Sequence, residues 1–320
     1  MSKAKKTWLI AAAVLVVAGL ALFAISMSAN HWDFSKLGTE EYETYLYEID
    51  ETFSSIEIDT QTADLVFAVS EDDTCRVDFY VPESVMRRAE VQNGTLHVQT
   101  LDDNWSMEFG IRYRSPEVTL YLPKTVYAAL TIEGTTGDIE IPEAFQFENV
   151  DVTLSTGDVN FYASASDTVN ILATTGNIRV ENVAVGALAL ATSTGEITVS
   201  DVTCQGDLTA NVTTGAVSVT ETTCRNFNSI GTTGEVSLKR LLAAGKISIE
   251  RSTGDVRFDR ADAAELFVKT STGDVTGTLL SEKIFFAESS TGDVSVPHTT
   301  TGGTCEVTTS TGDIRIKIAE

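Results

Sequence analysis

The chain has 320 residues, 42% of them hydrophobic, which is enough to bury a sizeable core and too apolar for a disordered polymer. Its 22 basic and 46 acidic residues give a formal charge of −24. Such a surface repels nucleic acid and anionic headgroups, so no nucleic-acid partner is expected. The four cysteines (Cys75, Cys204, Cys224 and Cys305) form no CxxC pair and lie far in sequence from His31, His97 and His298, which argues against a zinc site; no cofactor is implied.

Residues 1–6 carry Lys3, Lys5 and Lys6 and read as a cytoplasmic tail. Trp8 to Met27 then runs without a charge, long enough to cross a hydrocarbon core of about 30 Å. We read residues 7–28 as a transmembrane signal anchor, with Trp8 and Trp32 near the two interfaces and the remainder of the chain outside the cell membrane. The alternative is a cleaved signal peptide and a secreted protein, with Ser26-Met27-Ser28 preceding a cut at Ala29. Residues 29–51 are acidic and tyrosine-bearing and read as a juxtamembrane spacer.

Residues 52–129 read as strands. FSSIEIDTQTADLVFAV alternates apolar and polar positions, and Thr62-Ala63-Asp64-Leu65 looks like a degenerate tight turn. Asn93-Gly94 is a hairpin signal, and EVTLYLP closes at Pro123. The region is expected to be an irregular β cap over the first layer of the repetitive remainder of the chain.

From residue 130 to 318 one pattern repeats. Ser/Thr-Thr-Gly, usually followed by an acidic residue, recurs with its glycine at Gly137, Gly157, Gly176, Gly195, Gly215, Gly234, Gly254, Gly273, Gly292 and Gly312, at spacings of 19 or 20 residues. Two residues after each glycine stands Val or Ile. Four residues after it an apolar residue stands in every copy but one, the exception being Gly277. Positions seven and five before the glycine are also mostly apolar, as in Val169 and Ile171 or Leu266 and Val268. Period-two alternation on both sides of a glycine is strand, tight turn, strand. One such unit cannot bury its apolar face alone, so the copies must stack. The expected fold is all-β: a parallel β-solenoid of about ten rungs and about 48 Å, capped by residues 52–129 and preceded by one membrane helix. A weaker inward position seven after the glycine leaves room for a third short strand per rung. Pro142 and Pro297, five after their glycines, mark strand ends.

The glycines supply positive φ at the turn. The residue after each is acidic in most copies, and Asp255, Asp274, Asp293 and Asp313 are expected as a column about 4.8 Å apart. Two readings are open for these four: each carboxylate caps its own turn, or the column holds calcium, which wants roughly 6–8 oxygen ligands. Cys204 and Cys224 both lie nine residues after a glycine, so they should be neighbours on adjacent rungs and are a candidate disulfide. Cys305 falls in the core column as a small apolar residue. Leu122-Pro123-Lys124-Thr125 lacks the glycine, apolar tail and C-terminal place of a wall-sorting signal. Asn93-Gly94-Thr95 and Asn211-Val212-Thr213 match a glycosylation sequon only formally. The acidic residues follow the repeat rather than converging with a Lys, Arg or His, so no catalytic residue is assigned and the chain is not read as an enzyme.

The early IEIDTQTADLVF, the NGTLHV hairpin, VTLYLP and the ten S/T-T-G copies together resemble the bacterial DUF4097-type family of putative adhesins, over about residues 52–318. That resemblance implies a surface β-solenoid, often tethered by one N-terminal helix. The expected function is a non-enzymatic cell-surface module presenting a repetitive polar face to a surface polymer or protein. The alternatives are a spacer or envelope-stress sensor at the outer face of the membrane and, third, a threonine ladder that binds ice. The residues leave oligomeric state open.

Overall fold

The computed structural model describes residues 3–29, 32, 42–101 and 115–319. The first element is an α-helix, Lys3–Ala29, of 27 residues. Among the described residues no helix is long and apolar enough to cross a membrane. Everything else with regular structure among the described residues is β.

The solenoid is as the period requires. Two parallel sheets face each other, and each rung contributes one strand to each. Val159, Ile178, Ile197, Val217, Val236 and Val256 stack in register in the sheet after the turn, all essentially inaccessible to water. Leu130, Val150, Val169, Leu188, Leu208, Phe227, Ile247 and Leu266 do the same in the sheet before it. Each fully buried Val, Leu or Ile contributes roughly 1.5–3 kcal/mol relative to exposure, so the shared spine is the main source of stability. The third short strand exists: Thr203–Cys204 and Thr223–Cys224 pair with their neighbours at the return.

Between the second sheet and that return the chain turns a second corner. Asn182, Asp201, Glu221, Arg240 and Arg260 all sit there with φ between 48° and 58°. Asn and Asp tolerate this left-handed conformation; the others are held in it by the stack, as where Arg240 pairs with Glu221 of the rung before. No glycine marks this corner, so sequence spacing alone does not disclose it.

At both ends the stacking order departs from chain order. The Thr62-Ala63-Asp64 turn is real: Ser55–Thr62 and Asp64–Val69 form a regular rung beneath Val126–Thr136 and Ile139–Ile141, with Ala63 in the glycine's place. Outside that rung lies a later segment. Thr95–Leu101 pairs with Ser55–Thr62, and Glu117–Leu122 pairs with Asp64–Val69. The cap beyond is antiparallel. Met86–Gln92 joins Thr95–Leu101 through the Asn93-Gly94 hairpin, and Cys75–Pro82 pairs with Glu117–Leu122. Tyr42–Ile49 then closes the edge against Cys75–Pro82. That strand corrects the reading of 29–51 as spacer, because 42–49 belong to the cap; residues 30–31 and 33–41 of that segment lie outside the described residues. Aromatic side chains fill the cap side: Phe53, Tyr127 and Phe147 follow one another at centroid distances of 6.0 and 5.9 Å.

The C-terminal end repeats the manoeuvre. Gly303–Thr311 and Ile314–Ile318 insert directly against the Gly273 rung, pairing Leu266 with Cys305 and Val275 with Ile314. The earlier segment, Lys283–Thr291 with Val294–Ser295, is displaced to the outside and, among the described residues, pairs only with the inserted one. The last two copies therefore do not stack in sequence order: the order is Gly254, Gly273, Gly312, Gly292. Identical turns make either order equally regular, so period cannot choose between them.

Candidate functional site: the turn edge

The ten tight turns lie along one edge of the rod. Coming into each turn, the residue three before the glycine points inward. Where it is Thr192, Thr270 or Thr309, its hydroxyl donates to the carbonyl of the preceding rung's glycine at 3.1–3.3 Å. The next two residues, Ser or Thr and then Thr, are exposed in all ten rungs. The glycines come next, at φ of 138° to 152°, a conformation that side-chain-bearing residues avoid. Space is equally decisive: a Cβ on Gly176 would lie 1.8 Å from the carbonyl oxygen of Gly157. The backbone ladder continues around the corner, with the Gly157 N–H donating to the Thr175 carbonyl at 3.0 Å.

The acidic residue after the glycine does something more specific than capping its own turn. The Oδ1 of Asp64, Asp138, Asp158, Asn177, Asp255, Asp274 and Asp313 each accepts the backbone N–H of the equivalent residue one rung further along, at 2.7–2.9 Å. The ladder is interrupted where Glu196, Ala216 and Glu235 occupy the position, since Glu is too long for this reach and Ala has no oxygen. Asp255, Asp274, Asp313 and Asp293 do form one column, in that order. Charge-assisted bonds to backbone N–H groups offset the repulsion that stacking like charges creates. The own-turn cap expected for this column is thus corrected for Asp255, Asp274 and Asp313, whose carboxylates tie their turns to the next rung. Among the described residues no group of three or more His, Cys, Asp or Glu is placed to hold a metal.

The cysteine pair is placed as expected and is not bonded. Thr203 pairs with Thr223, setting Cys204 and Cys224 on adjacent rungs, yet all four cysteines are free and buried. In-register parallel strands keep neighbouring β-carbons about 4.8 Å apart, beyond the usual disulfide range of about 3.5–4.5 Å. The Cys204 thiol donates instead to backbone carbonyls, Gly206 among them at 3.5 Å. Burial pushes the Cys75, Cys224 and Cys305 thiols up to about 12, so none is a ready nucleophile.

One charged side chain in the core has almost no signature in the sequence. Arg251 occupies the inward position three before Gly254 and is 4% exposed. It donates to Ser229 Oγ at 2.8 Å and to the Glu250 carbonyl at 3.0 Å, and its Nε has no partner. Burial lowers its pKa to about 10. The one sequence signal is Gly231, which supplies the space: a Cβ there would meet the guanidinium at 2.8 Å.

Beside the turn edge, the outer face of the sheet before the turn is uncharged through the middle of the rod. Asn170, Ala189, Thr209 and Asn228 form one outward column in register, next to a column of Leu172, Ala191, Asn211 and Ile230. In a chain of charge −24 the middle of this face is free of acids. The edge can thus offer regularly spaced hydroxyl donors and acceptors next to a flat neutral surface.

The family described as Toastrack DUF4097 matches residues 53–223 and 197–320. No curated protein matches. Among solved structures, the chain is similar to a putative adhesin from Bacteroides fragilis at 13% identity and a TM-score of 0.42, covering 88% of this chain and 99% of that one. It is also similar to a putative lipid binding protein from Parabacteroides distasonis, at 18% identity and a TM-score of 0.48, covering 75% of this chain and 95% of that one. A putative adhesin from Parabacteroides merdae is similar at 12% identity and a TM-score of 0.34, covering 76% and 98%.

Proposed function

This chain belongs to the Toastrack DUF4097 family, and from that premise we propose that it is a non-enzymatic binding module of the cell surface. Its N-terminal helix roots it in the membrane, its rod stands outside, and the turn edge with the adjoining neutral sheet face engages an uncharged surface polymer. The observation that carries this reading is the pair of exposed hydroxyl columns, unbroken over ten rungs at a repeat of about 4.8 Å. A regular row of hydrogen-bonding groups suits a ligand that is itself periodic, because each added repeat gains the same contact without a new site. The charge-free run from Trp8 to Met27 supports the anchor.

The test is binding of the full chain to neutral and anionic envelope polymers and to mucin glycans. Saturable binding to a neutral polymer, little changed by salt, is expected, and Thr175→Lys with Thr194→Lys and Thr214→Lys should weaken it at least about tenfold. No saturable binding to any neutral polymer would overturn the ligand class. Mass spectrometry of the mature N-terminus tests the anchor separately, and a start at Ala29 would replace it with secretion.

A further inference from the structure

The two ends of the rod are finished differently. At the N-terminal end the last parallel layer is covered by antiparallel strands bearing Glu43, Glu48, Arg87, Arg88 and Glu90. At the other end Lys283–Thr291 and Val294–Ser295 pair on one side only, and among the described residues nothing pairs with their outer edges. The core is open there. Val294 is 44% exposed, whereas Val256, Val275 and Ile314 of the same column are fully buried. Phe286 is 59% exposed on the outer face of the end strand. At its start the strand is guarded: Lys283 is buried against Asp262, and the Thr299 hydroxyl covers the Lys283 carbonyl. From Ile284 to Thr291 it carries no proline and one charge, Glu288, so the devices that usually blunt such an edge are sparse.

We propose that this end is a docking surface for the same end of a second copy of the chain, the two rods meeting tip to tip about a twofold axis with Lys283–Thr291 antiparallel to its counterpart. Three observations favour a second copy. Only a partner with the same two-sheet cross-section continues the edge ladder and covers the open spine in one step. The end strand is about 30 Å long and the rod about 20 Å thick with its side chains, so the contact buries on the order of 1,200 Å² in total, which reaches the lower bound of stable interfaces. In the register that sets Phe285 against the partner's Ala287, Phe286 lies on the axis, against its own counterpart. The two Glu288 carboxylates then stand four strand positions apart, about 13 Å, beyond a Debye length at physiological salt, so like charges do not meet.

That register makes the test specific. Antiparallel neighbours have Cα atoms about 4.5–5.5 Å apart, within disulfide reach, and the native thiols are all buried. In the full chain, Phe286→Cys should give a disulfide-linked dimer under mild oxidation. Ile284→Cys, two residues off the axis, and Leu46→Cys, on the edge strand of the far end, should not. The unmodified chain should sediment as a dimer in the micromolar range, and Phe286→Lys should raise its dissociation constant at least about 100-fold. Phe286 is exposed, so its replacement should leave the fold intact, which circular dichroism of the variants checks. A monomer at those concentrations, a dimer that Phe286→Lys leaves intact, or equal crosslinking at positions 46 and 286 overturns the proposal. The test does not depend on the polymer ligand, and failure of either idea leaves the other standing.

Discussion

In the middle of the rod, neighbours in sequence are neighbours in space; at the ends they are not. From Gly137 to Gly273 each rung lies on the one before it, and register comes from matching columns of Val, Ile and Leu. At the N-terminal end the segment from Ser55 to Val69 is enclosed by a later one, and at the C-terminal end the segment from Gly303 to Ile318 is enclosed by an earlier one. The same turn serves both arrangements: Gly312 seats against the Gly273 carbonyl and Gly292 against that of Gly312. A repeat therefore specifies what can stack and in which register, while the order of stacking is free wherever two copies are equivalent.

The sharpest way to break that contrast is to delete residues 303–320. The Lys283–Thr291 strand then loses its neighbour, so two rungs should melt although one was removed. The gross loss of apolar burial is on the order of 10 kcal/mol, from Cys305, Val307, Ile314, Ile316 and the half-buried Phe285 and Ala287. Limited proteolysis reads it: residues 283–302 should become cleavable, and persistent protection would mean that they pack on the Gly273 rung in chain order. A smaller effect separates rod from cap. Gly195→Ala drives a Cβ to 1.9 Å from the Gly176 carbonyl and should cost at least about 3 kcal/mol. Gly94→Ala, at φ 80° in the open hairpin, should cost about 1 kcal/mol. Thermal melts that rank the two alike would contradict the stacked-glycine geometry. The smallest contrast lies within one column. Asp158→Ala removes a bond to the Asn177 N–H and should cost about 1–2 kcal/mol, while Glu196→Ala should stay within about 0.5 kcal/mol. Equal losses would show that the column acts through charge alone.

How far the residues disclosed this arrangement depends on where the repeat is strict. The glycine spacing and the alternation around it gave the two sheets, the inward columns and the edge of hydroxyls. Thr62-Ala63-Asp64 and Asn93-Gly94 gave a rung and a hairpin outside the strict repeat. Tyr42–Ile49 was hidden because Glu43 on the inward parity and Leu46 on the outward one interrupt its alternation, and the strand it pairs with begins only at Cys75. The carboxylate ladder was half legible. An acidic residue after the glycine signals a cap, but only the stack shows that the N–H it accepts belongs to the next rung. Arg251 went unseen because the inward position three before the glycine tolerates Leu154, Ala173, Thr192 and Val212, with no type to stand out against.

The enclosed final segment also sets a schedule for biosynthesis. Chains emerge N-terminus first, so residues 283–295 are made before the strands they pair with in the finished rod. They must wait, or give up a provisional place on the Gly273 rung, until 303–318 arrive and slide in beneath. The tip can therefore be completed only after residues 303–318 have left the ribosome, and a product terminated before them would carry an unfinished end that a quality-control protease could recognise.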